Sequence, residues 1–349
     1  MGNKITFIAP FPDNHNIKDG MIQRVKAIDD IFSESERIYL SLSFNHFFRK
    51  STIQPNIKIQ VLKRNVFFHF IEIFNQLRRS DIIYCHSIYN ILPIIFFLFF
   101  LKGKIILDIH GVVTNELSLE KKYFKSFIYK LIEKFSFKKI DIAIGVTNSM
   151  CNYFKKKYPD YKGKFIVFNI FPESLKKCFG EQIIPHSKTI IIYSGNTQKW
   201  QNIDLMMQTI KNNQYANIQY IILSSEVAKF ENLITKYDIT PHNILIKSVL
   251  PKELDQYYSV ASYGFILRDE SIINQVANPT KLIEYLTYGI IPIVLNENIG
   301  DYKSYNYEFI YYNLISNKLT SQKSIRNKDI AYQLLKLNQE MDLRNFIMG

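Results

Sequence analysis

The chain has 349 residues, about twice a common single-domain length, so two domains are expected. Hydrophobic residues make up 47% and charged residues 21%, which supplies a packed core and excludes global disorder, and 12 Gly with 11 Pro exclude a collagen-like or low-complexity chain. The net charge of +13 is uneven: residues 1–170 carry 26 Lys and Arg against 14 Asp and Glu, whereas residues 171–349 carry 18 against 17, so an anionic membrane, nucleic acid or other phosphate-bearing partner is expected to face the first half.

In chain order, Ile5–Ala9 reads as a buried first strand, entered from Met1-Gly2-Asn3-Lys4 with no signal-peptide layout. Further short apolar strands are expected at Asp81–Cys85, Lys104–Ile109, Asp141–Val146 and Lys164–Phe168. None alternates cleanly, which marks strands buried on both faces of a parallel sheet. Helical segments fall near 21–32, 66–79, 89–101, 117–138 and 148–157. After a polar stretch, Asn169 to Ser187, the pattern restarts. Strands are expected at Thr189–Tyr193, Ile218–Leu223, Asn243–Ile246, Tyr263–Leu267 and Ile291–Val294, with helices near 202–212, 227–237, 252–260 and 279–288. A last amphipathic segment covers 328–347. Two successive β-α arrays imply two Rossmann-like, doubly wound α/β domains, 1–170 and 171–327, followed by a C-terminal helix in 328–349 that packs back on the first. Ligands then belong at the carboxyl ends of the strands.

Two segments bear on the basic half. Ile91 to Leu101 is apolar throughout, but as a helix it spans about 17 Å against a hydrocarbon core of roughly 30 Å, so it is no membrane span. It reads either as a buried helix or as a segment dipping into an interface. Lys121 to Lys139 interleaves seven lysines with Phe124, Phe127, Leu131, Phe135 and other apolar residues at helical spacing. This fits a basic amphipathic helix on anionic lipid, or a surface helix with a solvated face.

Absences narrow the chemistry. Cys85, Cys151 and Cys178 form no C-x-x-C pair, which argues against a disulfide framework or thiolate zinc site and for a reducing compartment. No G-x-G, P-loop, Asp-x-Asp or G-x-S-x-G occurs, so no dinucleotide fingerprint, metal–diphosphate anchor or hydrolase elbow is expected.

The loop from Arg268 to Gly289 is the most informative. A strand ends at Leu267, Pro279 opens a helix and Gly289 closes it. Lys281 lies in the first turn, where the helix dipole already favours an anion, so a bound anion would explain it. Glu284, one turn on, could accept hydrogen bonds from a ribose diol. Pro279-Thr280-Lys281-x-x-Glu284-Tyr285-Leu286-x-x-Gly289-x-x-Pro292-x-Val294 resembles the donor-site signature of GT-B-fold glycosyltransferases, particularly family-4-like enzymes of bacterial surface polysaccharides. Asp19-Gly20-Met21-Ile22-Gln23-Arg24, Asp108-Ile109-His110-Gly111 and Tyr193-Ser194-Gly195 with Lys199-Trp200-Gln201 fall where that family places its other loops.

The resemblance implies two domains facing across a cleft and a sugar moved from a nucleotide-diphosphate donor to a lipid-linked or oligosaccharide acceptor. Polysaccharide or lipopolysaccharide synthesis at the inner face of the cell membrane would be the setting, with retention of configuration and no metal. It implies Lys281, Arg268 and His110 as catalytic residues. Ser194, Gly195, Lys199, Ser248, Val249, Asn274, Pro279, Thr280, Lys281 and Glu284 would bind donor, and Gly20, Gln23, Arg24 and Glu116 acceptor. The backbone N–H groups of Ser194 and Gly195 would approach phosphate. Where many members carry a second glutamate, this chain has Val276, and Arg268-Asp269-x-Ser271-x-x-Asn274 supplies an alternative polar loop. A catalytically silent scaffold, a nucleotide-sugar epimerase and a nucleic-acid-binding protein are the competing classes; the last has no recognisable signature.

Overall fold

The computed structural model describes residues 4–13, 15–16, 20–45, 50–171 and 188–349; Gly2, Asp19 and Cys178 lie outside them. The chain divides into two compact units, residues 1–170 with 341–349, and residues 171–340.

In the first unit, β1 (Lys4–Ile8), β2 (Glu36–Ser43), β3 (Ser51–Asn56), β4 (Ile59–Asn65), β5 (Ile82–His86), β6 (Lys104–Asp108), β7 (Ile142–Gly145) and β8 (Lys164–Val167) form one sheet. Its order is β3-β4-β2-β1-β5-β6-β7-β8. Every pair is parallel except β3 with β4. Ile5, Phe7, Tyr39, Val61, Ile82, Tyr84, Ile106 and Ile144 build the core with Val25 and Ile28 of the helix Gly20–Ile31. The strand order reverses direction at β1 and β5, which opens a crevice at their carboxyl ends.

The second unit holds β9 (Thr189–Ser194), β10 (Ile218–Leu223), β11 (Ile244–Lys247), β12 (Tyr263–Ile266), β13 (Ile291–Val294) and β14 (Ile310–Tyr311), in the order β11-β10-β9-β12-β13-β14 and parallel throughout. Side chains of β9 alternate between two cores: Ile190 and Ile192 enter one, Ile191 and Tyr193 the other. That is why these strands read as unbroken apolar runs. Here the reversal lies between β9 and β12, so the loops after Ser194 and Ile266 meet at the switch point.

The α/β class and parallel sheets are as expected, with four local differences. Strands β2, β3, β4 and β14 were not anticipated; β3 is a largely exposed antiparallel edge without a hydrophobic pattern, and β14 has only two residues. The 89–101 segment is a chain of short 3₁₀ turns rather than a helix, burying Ile91, Ile94 and Leu98 while exposing Phe96 and Phe100. The 117–138 helix is two, Val113–Leu119 and Tyr123–Ser136, broken where Lys121 takes a left-handed φ of 60°. The closing segment is also two helices: Ile325–Glu340 belongs to the second unit, and Leu343–Met348, capped by Asp342, to the first. Among the described residues, no helix is long and apolar enough to cross a membrane.

Candidate functional site

In the second unit the site grows from the helix Thr280–Thr287. Pro279 is its N-cap residue. Its end is a Schellman closure: Gly289, at φ 66°, donates to the Leu286 carbonyl, and Ile290 donates to the Tyr285 carbonyl, both at 2.9 Å. Tyr285 docks the helix onto the sheet. Its ring lies against Gly264 of β12, where a Cβ would come within 2.3 Å, and its hydroxyl reaches the Ile192 carbonyl of β9.

This docking carries Lys281 and Glu284 to the end of β9. The Lys281 ammonium stands 3.8 Å from the centre of the Tyr193 ring and donates to Gln201 Oε1 at 3.2 Å. Among the described residues it pairs with no carboxylate. Burial and the nearby Arg268 push its pKa well below the usual lysine range, against the pull of Glu284. Arg268, just beyond β12, is buried; its one described side-chain hydrogen bond goes to Asn274 Oδ1 at 3.2 Å, and burial lowers its pKa to about 10. Two basic groups therefore share a poorly solvated place in which a bound anion would stabilise their charged forms.

Glu284 accepts from the Tyr258 hydroxyl at 2.8 Å, and Tyr258 in turn meets Ser194 Oγ at 2.6 Å. Burial raises the Glu284 pKa to about 7, with Tyr258 and Lys281 pulling down. The sequence reading missed Tyr258: it sits in a four-residue helix, Asp255–Tyr258, that carries no motif.

Several expected donor residues have other roles. The Gly195 N–H is bonded to the Leu223 carbonyl at 2.9 Å and is not available to phosphate. What Gly195 contributes is space, since a Cβ there would stand 3.0 Å from Lys281 Nζ. Asn274 is fully buried and spans Arg268, Asp269 and Ser271, so it orients Arg268 instead of facing a sugar. The Arg-Asp-x-Ser-x-x-Asn loop is thus a bracket for a guanidinium. Lys199 and Thr280 are exposed, as is Ser248, with Val249 half-buried beside it.

In the first unit, β5 and β6 end side by side at His86 and Asp108. The Arg24 guanidinium clasps both Asp108 oxygens, through Nε at 2.9 Å and Nη2 at 2.7 Å, and donates to the Phe168 carbonyl. Arg24 is therefore an internal clamp, not an acceptor ligand. Asp108 Oδ2 also meets His86 Nδ1 and His110 Nε2, each at 3.3 Å. Burial pushes the Asp108 carboxyl up, but Arg24 and His110 outweigh it and hold it well below the usual range. Burial lowers His86 to about 4, so it is neutral near pH 7. His86, Asp108 and His110 could in spacing hold a metal ion. Arg24 already supplies the positive charge there, so the set does not suit a second cation.

His110 is half-buried, and its Nδ1 has no hydrogen-bond partner. Glu116 folds back: it accepts from the Val112 N–H, and a Cβ on Gly111 would lie 2.2 Å from its carboxylate. It caps this loop rather than presenting itself to an acceptor. Gly20 opens its helix with no described atom near a hypothetical Cβ, and Gln23 is half-buried.

No protein-family model matches the chain, and no curated protein matches it by sequence. Solved structures do match in fold. Sucrose-phosphate synthase from Thermosynechococcus elongatus aligns with TM-score 0.63 at 10% identity, over 97% of this chain and 90% of that one. Anabaena HepE in complex with UDP and glucose aligns with TM-score 0.65 at 10% identity, over 97% and 98%. The α,α-trehalose-phosphate synthase (UDP-forming) from Burkholderia vietnamiensis aligns with TM-score 0.67 at 9% identity, over 99% of both. The fold of this chain is the GT-B α/β fold of these glycosyltransferases, along nearly its whole length.

Proposed function

We propose that the protein is a glycosyltransferase that moves a sugar from a nucleotide-diphosphate donor to an acceptor hydroxyl. The observation that carries the reading is the placing of Lys281 and Arg268 together at the switch point of the second sheet, where among the described residues neither forms an ion pair with a carboxylate and burial outweighs the pull of Glu284 and Asp269. The fold neighbours with bound UDP or a UDP-forming reaction support it and make UDP the first base to test.

In this reading Lys281 and Arg268 hold the diphosphate. As the bond from the anomeric carbon to the phosphate oxygen breaks, that oxygen gains charge and the sugar gains oxocarbenium character. Fixed cations facing the leaving oxygen lower the barrier, each contact by ~3–4 kcal/mol. They do the work a metal would do, so no metal is required. Glu284 accepts from the ribose hydroxyls, Ser248 and Val249 lie beside the base, and His110 accepts a hydrogen bond from a donor-sugar hydroxyl. The acceptor oxygen takes the sugar with retention of configuration, and its hydroxyl proton passes to the departing diphosphate oxygen.

The acceptor we propose is a lipid-linked or oligosaccharide glycan in surface-polysaccharide synthesis, reached while the first unit rests on an anionic membrane. Exposed Phe96, Phe124 and Phe127 beside a basic helix support this location. The test is a panel of UDP-, GDP- and ADP-sugars with release of nucleoside diphosphate as readout. One base is expected to be consumed, and Lys281→Ala to lower its turnover by about 10²–10³. Turnover unchanged in Lys281→Ala and Glu284→Ala proteins would overturn the reading.

A further inference from the structure

A cavity of about 580 Å³ opens at the amino ends of β6, β7 and β8, the end of the sheet opposite Asp108 and Gly145. Five lysines surround it: Lys104 at the start of β6, Lys138 and Lys139 after the helix Tyr123–Ser136, and Lys162 and Lys164 leading into β8. The acidic side chains in the wall are Asp141 and Asp160, and Asp141 accepts the Ile105 N–H at 2.7 Å. Among the described residues no carboxylate forms an ion pair with any of the five ammonium groups. Lys104 instead donates to the Ile347 carbonyl at 2.7 Å, and Lys164 stands 5.6 Å from the Phe346 ring centre. Concentrated positive charge in a concave wall calls for an anion.

The cavity is continuous with an apolar surface. Lys138 lies 5.5 Å from the ring centre of Phe135, and Lys139 lies 5.4 Å from that of Phe99. From Phe135 a stripe of exposed side chains at four-residue spacing, Leu131, Phe127 and Tyr123, runs back along the helix. The inward face instead holds Ile132, Ser136 and even a charge, Glu133, which pairs with Lys157 at 2.5 Å. Beside Phe99, Phe96 is 82% and Phe100 68% exposed. A monomer in water gains nothing from such a surface. An anionic bilayer suits both halves at once, because apolar insertion and headgroup attraction together hold a peripheral protein that neither would hold alone.

We infer that the lysine cavity seats the phosphate of an anionic phospholipid headgroup while the adjoining aromatic stripe enters the bilayer interface. The inference rests on the membrane-bound setting proposed above, and sedimentation with vesicles separates the two. Wild-type protein is expected to bind phosphatidylglycerol-containing vesicles and not pure phosphatidylcholine. Lys162→Glu with Lys164→Glu should weaken that binding about tenfold or more, with the melting temperature unchanged. The charge-matched pair Lys318→Glu with Lys336→Glu, in the second unit, should change it less than about threefold. If wild-type protein binds no anionic vesicle, the membrane setting itself fails. If it binds but the two double variants weaken equally, the cavity assignment fails and general charge attraction remains. Saturable binding of inorganic phosphate that is lost in the Lys162/Lys164 variant, with vesicle affinity intact, would also overturn it in favour of a soluble anion.

Discussion

The Lys281 ammonium rests 3.8 Å over the Tyr193 ring, and the repulsion of Arg268 acts on it more strongly than the pull of Glu284. Burial and that repulsion both favour the neutral amine, so the protein without ligand holds this proton weakly. A diphosphate reverses the balance. Binding at pH 8.5 is therefore expected to take up protons, in a fraction read by calorimetry in buffers of different ionisation enthalpy. Lys281→Met should abolish the uptake and weaken nucleoside diphosphate binding. Equal proton exchange in wild type and Lys281→Met would show that this amine is not the group that meets phosphate.

Glu284 provides the opposite pH signature. Its folded-state pKa, about 7, lies above the ordinary carboxylate value because burial favours the neutral acid. The sign for stability follows: this group's contribution is present below the ordinary carboxylate range and is lost as pH rises toward 7. Accepting a ribose diol requires the carboxylate, so affinity for a nucleotide sugar should fall about tenfold per pH unit below 7. Glu284→Gln should flatten that dependence between pH 5.5 and 8. Tyr258→Phe, which removes a donor to the carboxylate, should move the midpoint upward. Titration of affinity by fluorescence or calorimetry checks all three.

Strands β9, β10, β12 and β13 were legible because they are buried on both faces, which leaves an apolar run of strand length between polar loops. Lys281 and Glu284 were legible for a related reason: Pro279 and Gly289 mark the two ends of their helix, and helical spacing then fixes their common face. What escaped detection depends on long-range pairing. Arg24 was expected to bind acceptor, yet it is held by Asp108, 84 residues away, while Asp29 on the same helix is taken by Arg37 at 2.7 Å. The apolar face of the 121–139 segment was left open between lipid and ordinary packing because periodicity reports that a face exists, not which way it turns. Tyr258 had no local signal at all, since only the meeting of β9 with the Lys281 helix gives it a role.

The Arg24–Asp108 pair sets the last expectation. Arg24 is 5% exposed and Asp108 fully buried, so removing one partner strands a charge. Arg24→Gln is expected to cost about 3–5 kcal/mol of unfolding free energy, and Arg24→Gln with Asp108→Asn to recover much of it, because the pair is then neutral. Activity should separate from stability. Asp108 receives the Nε2 side of His110, which leaves Nδ1, buried and without a hydrogen-bond partner, as the ring atom with unused acceptor capacity. The double variant keeps the fold but weakens this anchor, so turnover should stay low, more through kcat than KM, although the melting temperature returns. His110→Asn, which keeps an oxygen near the Nδ1 position, should retain more turnover than His110→Ala. Full activity in the double variant, or equal loss in the two His110 variants, would reduce the histidine to a packing role.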